Sequence, residues 1–385
     1  MKILYVARKS VFLKGMLECV EHESNEVFVL DLKNRQYIDV NNGHVIQTFD
    51  SDMIIKSKVV NYIFRYVAAI HFLLKFRRER WDICHILNLK RENFWMIPFW
   101  KRNVKKVIVT VFGKSTYTTS MKRWMFAHVY RYVDLITFTS DSVADEFLAY
   151  NPAVAKSKVA IHVLPLSHFG DLVKIVERGC LRDYCEKLGL RNGLVNISCS
   201  STIAKYDQHE KVIYEIKKLR CKESIQLMFL LTYGGDEQRK RRIIDLIERE
   251  LRGFHYKIFT DFMSNEDISM FRAVTDVFIN VRVSDQFAGA MIESLYAGAC
   301  LISGSWLNYG KLDQIGLTYS KIDSVDRLHE AIEECLKDIY EFKDSKSKVN
   351  SALIFENLIK PHLVSPWNQL YIQQCESNLH VAELK

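Results

Sequence analysis

The chain has 385 residues, 48% hydrophobic, 12% aromatic and 26% charged, with a formal net charge of +8. That composition excludes a disordered or collagen-like protein, and the length exceeds what a single core usually holds, so two domains are expected. Five prolines and fifteen glycines, with no low-complexity tract and no internal repeat, exclude solenoids and propellers.

The opening MKILYVARKS carries a short apolar run and no cleavage pattern. It reads as a first buried strand and not as a signal peptide, which places the protein in the cytoplasm. Short β-branched runs then alternate with helical stretches. KILYVA, EVFVLDL, DICHIL, KKVIVTVF, LITFTS and VAIHVL lie in the first half, and LVNISCS, QLMFLLTYG, YKIFTDF, DVFINV and CLISG in the second. Continuous apolar runs separated by helices indicate parallel strands buried on both faces, so the fold class is α/β, with two doubly wound sheets. Ligands of such sheets bind at the carboxyl ends of strands, and two sheets facing across a cleft suit group transfer. A polar stretch ending in CEKLGLRNG, with Gly189 and Gly193 as stop and turn positions, puts the domain boundary near residue 170.

Residues 51 to 131 carry 17 Lys and Arg against 4 Asp and Glu. Within them VVNYIFRYVAAIHFLLKFRRERW is apolar at helical spacing but interrupted by Asn61, Arg65 and His71, too polar to span a bilayer. With FWMIPFWKRNVKK and MKRWMFAHVYRY it reads either as core helix with a basic solvated edge, or as a peripheral contact with anionic lipid through residues 56 to 131. No RNA-binding signature is present, and no nucleic-acid partner is expected. Gly113 to Tyr117 lacks the P-loop spacing, so Lys114 is assigned to the acceptor side, as are Lys14 and Gly15 in the loop KSVFLKG. Nine cysteines form no C-x-x-C pair. Cys180, Cys185 and His209 fit no zinc spacing, and reduced thiols without a structural metal are expected.

The most informative segment is NVRVSDQFAGAMIESLYAGACLISG, residues 280 to 304. Strand DVFINV leads into a loop with Asp285 and Phe287, after which Ala288, Gly289 and Ala290 open a helix containing Glu293. Small residues admit a ligand close to the backbone, and the free amides of a helix N-terminus attract phosphate oxygens. A carboxylate on that helix can accept hydrogen bonds from ribose hydroxyls, and Asp285 can reach sugar hydroxyls. The plainer reading is that Glu293 favours the helix dipole and Asp285 caps the turn.

Asp285 and Glu293, eight apart, resemble the E-x(7)-E signature of the retaining glycosyltransferases of family 4. FTDFMSNEDISMFRAVTDVFINV before it is similar to that family's approach to the signature. CEKLGLRNGLVNISCSSTIAKYDQHEKVIYEI resembles the opening of its second domain, and RYVDLITFTSDSVADEFLAY with KVAIHVLP the close of its first. The segment S-x(4)-K-x-x-Q-H, with Tyr233-Gly234-Gly235-Asp236, resembles a bacterial lipid-linked-glycan group within it.

The resemblance implies a GT-B architecture. Residues 1–170 would form an acceptor-binding Rossmann-like domain and 171–360 a nucleotide-sugar-binding one, with a helix in 361–385 packing back on the first. It implies transfer of a sugar from a nucleotide-sugar to a glycan or lipid-linked acceptor, with retention and without metal or other cofactor, in surface polysaccharide or lipopolysaccharide assembly. Asp285, Glu293, Lys205 and His85 take the catalytic roles, Lys205 against the donor diphosphate and His85 near the reacting sugar. Ser200, Ser201, Gly235, Phe262, Met263, Arg282, Phe287, Ala288, Gly289 and Ala290 join Lys205 and Glu293 as donor contacts. Three departures stand out: Asp285 replaces a glutamate, Ala288 replaces a glycine, and Cys199-Ser200 replace Gly-Arg. With that arginine missing, the hydroxyls of Ser200, Ser201 and Thr202, or the charge of Arg282 or His209, are the candidates to serve the diphosphate, although a neutral donor is no equal replacement for a bidentate arginine. An inverting GT-B transferase or a nucleotide-sugar epimerase, with Asp285 or His85 as base, is the alternative enzyme. A non-catalytic basic protein binding membrane or nucleic acid is the alternative outside catalysis.

Overall fold

Two separate sheets, whose central strands are apolar runs buried along their whole length, such as β-strands Leu135–Phe138, Ile225–Leu230 and Cys300–Gly304, form the protein, described here from a computed structural model. The described residues are all but 9, 22–23, 33, 35, 48–57, 112–119, 140, 167, 200–201, 286–288, 308, 364–366 and 377–385. Among them the chain divides into two units, Met1–Ser167 with Val364–Lys385, and His168–Leu363. The second unit opens on the helix His168–Arg178, so the boundary expected near residue 170 falls inside that helix.

The sheet of the first unit has eight strands: β1 (Lys2–Val6), β2 (Glu26–Asp31), β3 (Gln36–Asp39), β4 (His44–Gln47), β5 (Trp81–Leu87), β6 (Val104–Thr110), β7 (Leu135–Phe138) and β8 (Val159–Ile161). Their order is β4-β3-β2-β1-β5-β6-β7-β8. Six of the strands are parallel neighbours, in register from Ile3 against Ile83 and Val27 onward. An all-parallel sheet was expected; β3 and β4 instead extend its edge antiparallel. The reason is local. Asp39 accepts hydrogen bonds from the Asn42 backbone and side chain at 3.3 and 2.9 Å, and Gly43 adopts φ +65°, closing a tight hairpin.

Packed against this sheet, within the same unit, is the helix Trp367–Glu376. Trp367 and Tyr371, one helical turn apart, are fully buried with Tyr5, Met16, Ile83 and Leu164. Trp367 Nε1 donates to the Val163 carbonyl at 2.9 Å, and the Tyr371 hydroxyl donates to that of Tyr5 at 3.2 Å.

The second unit holds six strands: β9 (Val195–Ser198), β10 (Ile225–Leu230), β11 (His255–Phe259), β12 (Val277–Asn280), β13 (Cys300–Gly304) and β14 (Ser320–Ile322). All are parallel, in the order β11-β10-β9-β12-β13-β14. The winding reverses between β9 and β12, and such a switch point is where an open α/β sheet binds its ligand, beyond the carboxyl ends of the strands. The loops leaving β9 and β12 carry Lys205, Arg282 and Asp285.

Candidate functional site

The loop after β9 is stitched to itself. Asp207, buried at the end of the 3-10 turn Lys205–Asp207, accepts from the Thr202 backbone at 3.0 Å and from its hydroxyl at 2.7 Å. His209, first residue of the helix His209–Ile216, hydrogen-bonds the Thr202 carbonyl through Nε2 at 2.7 Å, so that nitrogen carries the proton. Burial lowers the His209 pKa below its ordinary value. A neutral ring spent on a carbonyl does not supply the charge expected of it.

The loop after β10 lies across this one. Ile203 N donates to Tyr233 O at 2.7 Å. Gly234 has φ +93°, which favours glycine there, and a Cβ on Gly235 would stand 3.0 Å from Ile203 Cγ2, a tight approach of the two loops. Asp236 then caps the helix Glu237–Glu250, accepting from Arg239 N at 2.8 Å. Tyr233 is half exposed at the tip. Burial pushes its phenol up while the charges of Arg282 and Arg272 pull the other way.

Arg282 leaves β12 into a cage. Its Nε pairs with Asp207 Oδ1 at 2.7 Å and its NH1 with Asp285 Oδ1 at 3.2 Å, while the guanidinium lies 5.2 Å from the Tyr206 ring centre. Trp306 Nε1 donates to its carbonyl at 2.7 Å. Arg282 was expected to offer charge to a diphosphate; both faces of its fork are instead held by aspartates. Asp285 in turn accepts from the Tyr309 hydroxyl, which itself accepts from Asn280 Nδ2 at 2.6 Å. Only 7% of the Asp285 side chain is exposed.

Glu293 sits on the helix Gly289–Tyr296 with its carboxylate curled toward the helix start: a Cβ on Gly289 would meet Glu293 Oε1 at 3.4 Å. His168 Nε2 approaches Oε1 at 3.1 Å and Arg272 Nε donates to Oε2 at 3.0 Å. Burial alone would raise this carboxyl, but the His168 hydrogen bond and the Arg272 charge outweigh it and hold the group at about 2. Glu293 is therefore ionised across the physiological range. Gly289 and Ala290 are half-buried beside it. Phe262 is 82% exposed beyond β11, and Met263 packs on the cluster of Ile175, Tyr184 and Phe271. Lys205 is exposed and forms no ion pair with a described residue. Ser200, Ser201, Phe287, Ala288 and Lys114 lie outside the described residues.

In the first unit, His85, expected near the reacting sugar, is completely buried. Nδ1 lies 2.6 Å from the Tyr371 hydroxyl, Nε2 lies 2.7 Å from Thr110 Oγ1, and the ring stacks 4.8 Å from Trp367. Since Tyr371 donates onward to Tyr5, Nδ1 carries the proton and Nε2 accepts from Thr110. Burial, with His162 nearby, pulls its pKa down to about 3. His85 is thus a neutral core residue that anchors the helix Trp367–Glu376. Gly15 is a packing residue, since a Cβ there would lie 2.2 Å from the Pro165 carbonyl oxygen. Lys14 beside it is exposed and pairs loosely with Glu18 at 3.8 Å.

His168, Arg272, Tyr309, Asn280 and Asp207 are the site residues that sequence reasoning missed. Only Asp207 had a local signal, two places beyond Lys205. Among the described residues no group of three His, Cys, Asp or Glu side chains is placed to hold a metal ion.

No protein-family model matches the chain, and no curated protein does. Solved structures do. A glycosyltransferase from Rickettsia africae ESF-5 is 14% identical with a TM-score of 0.66, over 97% of this chain and 98% of its own. Sucrose-phosphate synthase from Thermosynechococcus elongatus is 13% identical with a TM-score of 0.70, over the same shares. The Anabaena protein HepE, solved with UDP-glucose, is 10% identical with a TM-score of 0.67, over 99% of this chain and 100% of its own. The fold is GT-B, with two Rossmann-like domains in one chain.

Proposed function

We propose that this protein is a glycosyltransferase whose second unit binds a nucleotide-sugar and whose first unit takes a glycan or lipid-linked acceptor. The observation that carries the reading is Glu293. A carboxylate 13% exposed and held ionised by Arg272 and His168 turns back toward the small-residue start of the helix Gly289–Tyr296, which follows the switch point of a doubly wound sheet. A fixed anion there accepts hydrogen bonds from a vicinal diol, as a ribose offers, and the adjoining helix amides suit its phosphates. The solved structures of like fold, HepE with UDP-glucose among them, support the same class of donor.

In this reading the bond from the sugar's anomeric carbon to the diphosphate oxygen breaks, and a bond from the same carbon to an acceptor hydroxyl oxygen forms on the same face. The acceptor proton passes to the departing diphosphate. Lys205, the exposed cation, and the helix amides stabilise the charge that develops, so the step needs no metal. Asp285 orients the sugar only after exchanging the hydrogen bond from Tyr309 or the ion pair with Arg282 for a sugar hydroxyl. Retention, membership of family 4 and a place in surface-polysaccharide assembly follow from the sequence resemblance.

The test is thermal unfolding with UDP-, GDP-, dTDP- and CMP-sugars. One of them, at about 100 times its dissociation constant, should stabilise the wild type by about 2.7 kcal/mol. Glu293→Ala should lose that response. A folded wild type unmoved by every nucleotide-sugar would remove the donor site. The product anomer, read by NMR, decides retention against inversion.

A further inference from the structure

The helix Lys58–Lys75 of the first unit turns the wrong side of its apolar content outward. Ala68, Ala69 and Phe72 are buried, facing the core. Ile63, Val67, Ile70 and Leu74 are 55, 40, 44 and 62% exposed. Their spacing of 4, 3 and 4 residues places them within an arc of about 60° at about 100° per residue, opposite the buried face. Four exposed aliphatic side chains in one unbroken stripe are not the scattered apolar residues normal on a soluble surface.

The surroundings of the stripe define what covers it. Tyr66 on the same helix meets Trp95 edge-on at 6.0 Å between ring centres, and Trp95 is 52% exposed. The stripe runs on at its end into exposed Lys75, Arg77 and Arg78, with His71 on its flank. The only acid in that end segment, Glu79, is taken by Lys2 at 2.6 Å. An aliphatic stripe bordered by an indole and by cations that pair with no acid among the described residues complements a surface that is apolar below and anionic above.

We propose that this face docks on the headgroup layer of an anionic bilayer. The helix lies in the interface plane, Ile63, Val67, Ile70 and Leu74 enter the acyl boundary, Trp95 stands at headgroup level, and Lys75, Arg77 and Arg78 meet lipid phosphates. Nucleic acid fits less well, because it would be met by branched aliphatic side chains that neither stack on bases nor bond phosphates. The proposal goes beyond the transferase reading and does not depend on it, since binding is read without nucleotide-sugar.

The experiment is co-sedimentation of the full chain with vesicles of phosphatidylcholine alone, or with about one third phosphatidylglycerol, at low and high salt. The wild type should pellet with the anionic vesicles and be partly released by salt. Ile70→Glu/Leu74→Glu should lower the bound fraction about tenfold or more, with unchanged thermal unfolding. Arg77→Glu/Arg78→Glu should abolish the preference for phosphatidylglycerol. Three results would overturn the proposal: a wild type that pellets with neither vesicle, a folded stripe variant that binds like wild type, or a concentration-dependent dimer in light scattering that the stripe variant alone dissociates. Wild-type protein withheld from anionic vesicles by single-stranded RNA at equal phosphate would count against it as well.

Discussion

Glu293 keeps a charge in a place where burial opposes one, and the consequence is measurable. Its folded pKa of about 2 lies below the ordinary carboxylate value of about 4.3. Stability from this group is therefore fully present above that ordinary value and is lost as pH falls from there toward 2. The unfolding midpoint of the wild type should drop over that interval, and Glu293→Gln should flatten that part of the profile. Arg272→Met removes the buried cation from Glu293 Oε2 and leaves His168 on Oε1, at a cost of about 3 kcal/mol. Urea unfolding at neutral pH measures it, and an unchanged midpoint would show that the pair is not formed. Glu293 itself was legible in the sequence, because the strand, small-residue loop and helix around it are consecutive. His168 and Arg272 were not, lying 125 and 21 residues away with no period linking them to it. The setting of His85 was hidden for a related reason. Its burial depends on Trp367 and Tyr371, which the sequence places nearly 300 residues later.

At the scale of elements, the strands that read clearly are those buried on both faces, such as β5 and β10, whose apolar runs are continuous. β3, β4 and β14 escaped notice because QYID, HVIQ and SKI are broken by polar residues and form no continuous apolar run. The hairpin between β3 and β4 did carry a signal, Asn41-Asn42-Gly43, outweighed by the parallel pattern around it. Glycines show the same limit. Gly15 stands in a loop by sequence but in the helix Val11–Glu21 by structure, where its missing side chain admits the Pro165 carbonyl. Gly15→Ala would ordinarily favour a helix, yet here it should destabilise the protein by about 1–3 kcal/mol, because backbone must move to admit the methyl group. A higher unfolding temperature for this variant would refute the close approach.

For the molecule as a whole, the division into units matters more than the boundary residues. The first unit is made of two stretches of chain, with the whole of the second unit between them. Ending the chain after Leu363 removes Trp367 and Tyr371 from a core that includes Tyr5, Met16 and Leu164. Losing a buried aromatic of this size costs about 3–5 kcal/mol, so the first unit of the truncated chain should unfold well below the second, as a separate calorimetric transition. A single unshifted transition would show that the helix Trp367–Glu376 contributes nothing. During synthesis the same arrangement sets an order. The second unit has every residue it needs once Leu363 has emerged, whereas the first, although its strands are made earlier, stays open over His85 and Tyr5 until residues 367–376 arrive. Of these two units, the one whose strands are made earlier is the later to be finished, and until then its unsealed aromatic floor is a surface for chaperones to cover.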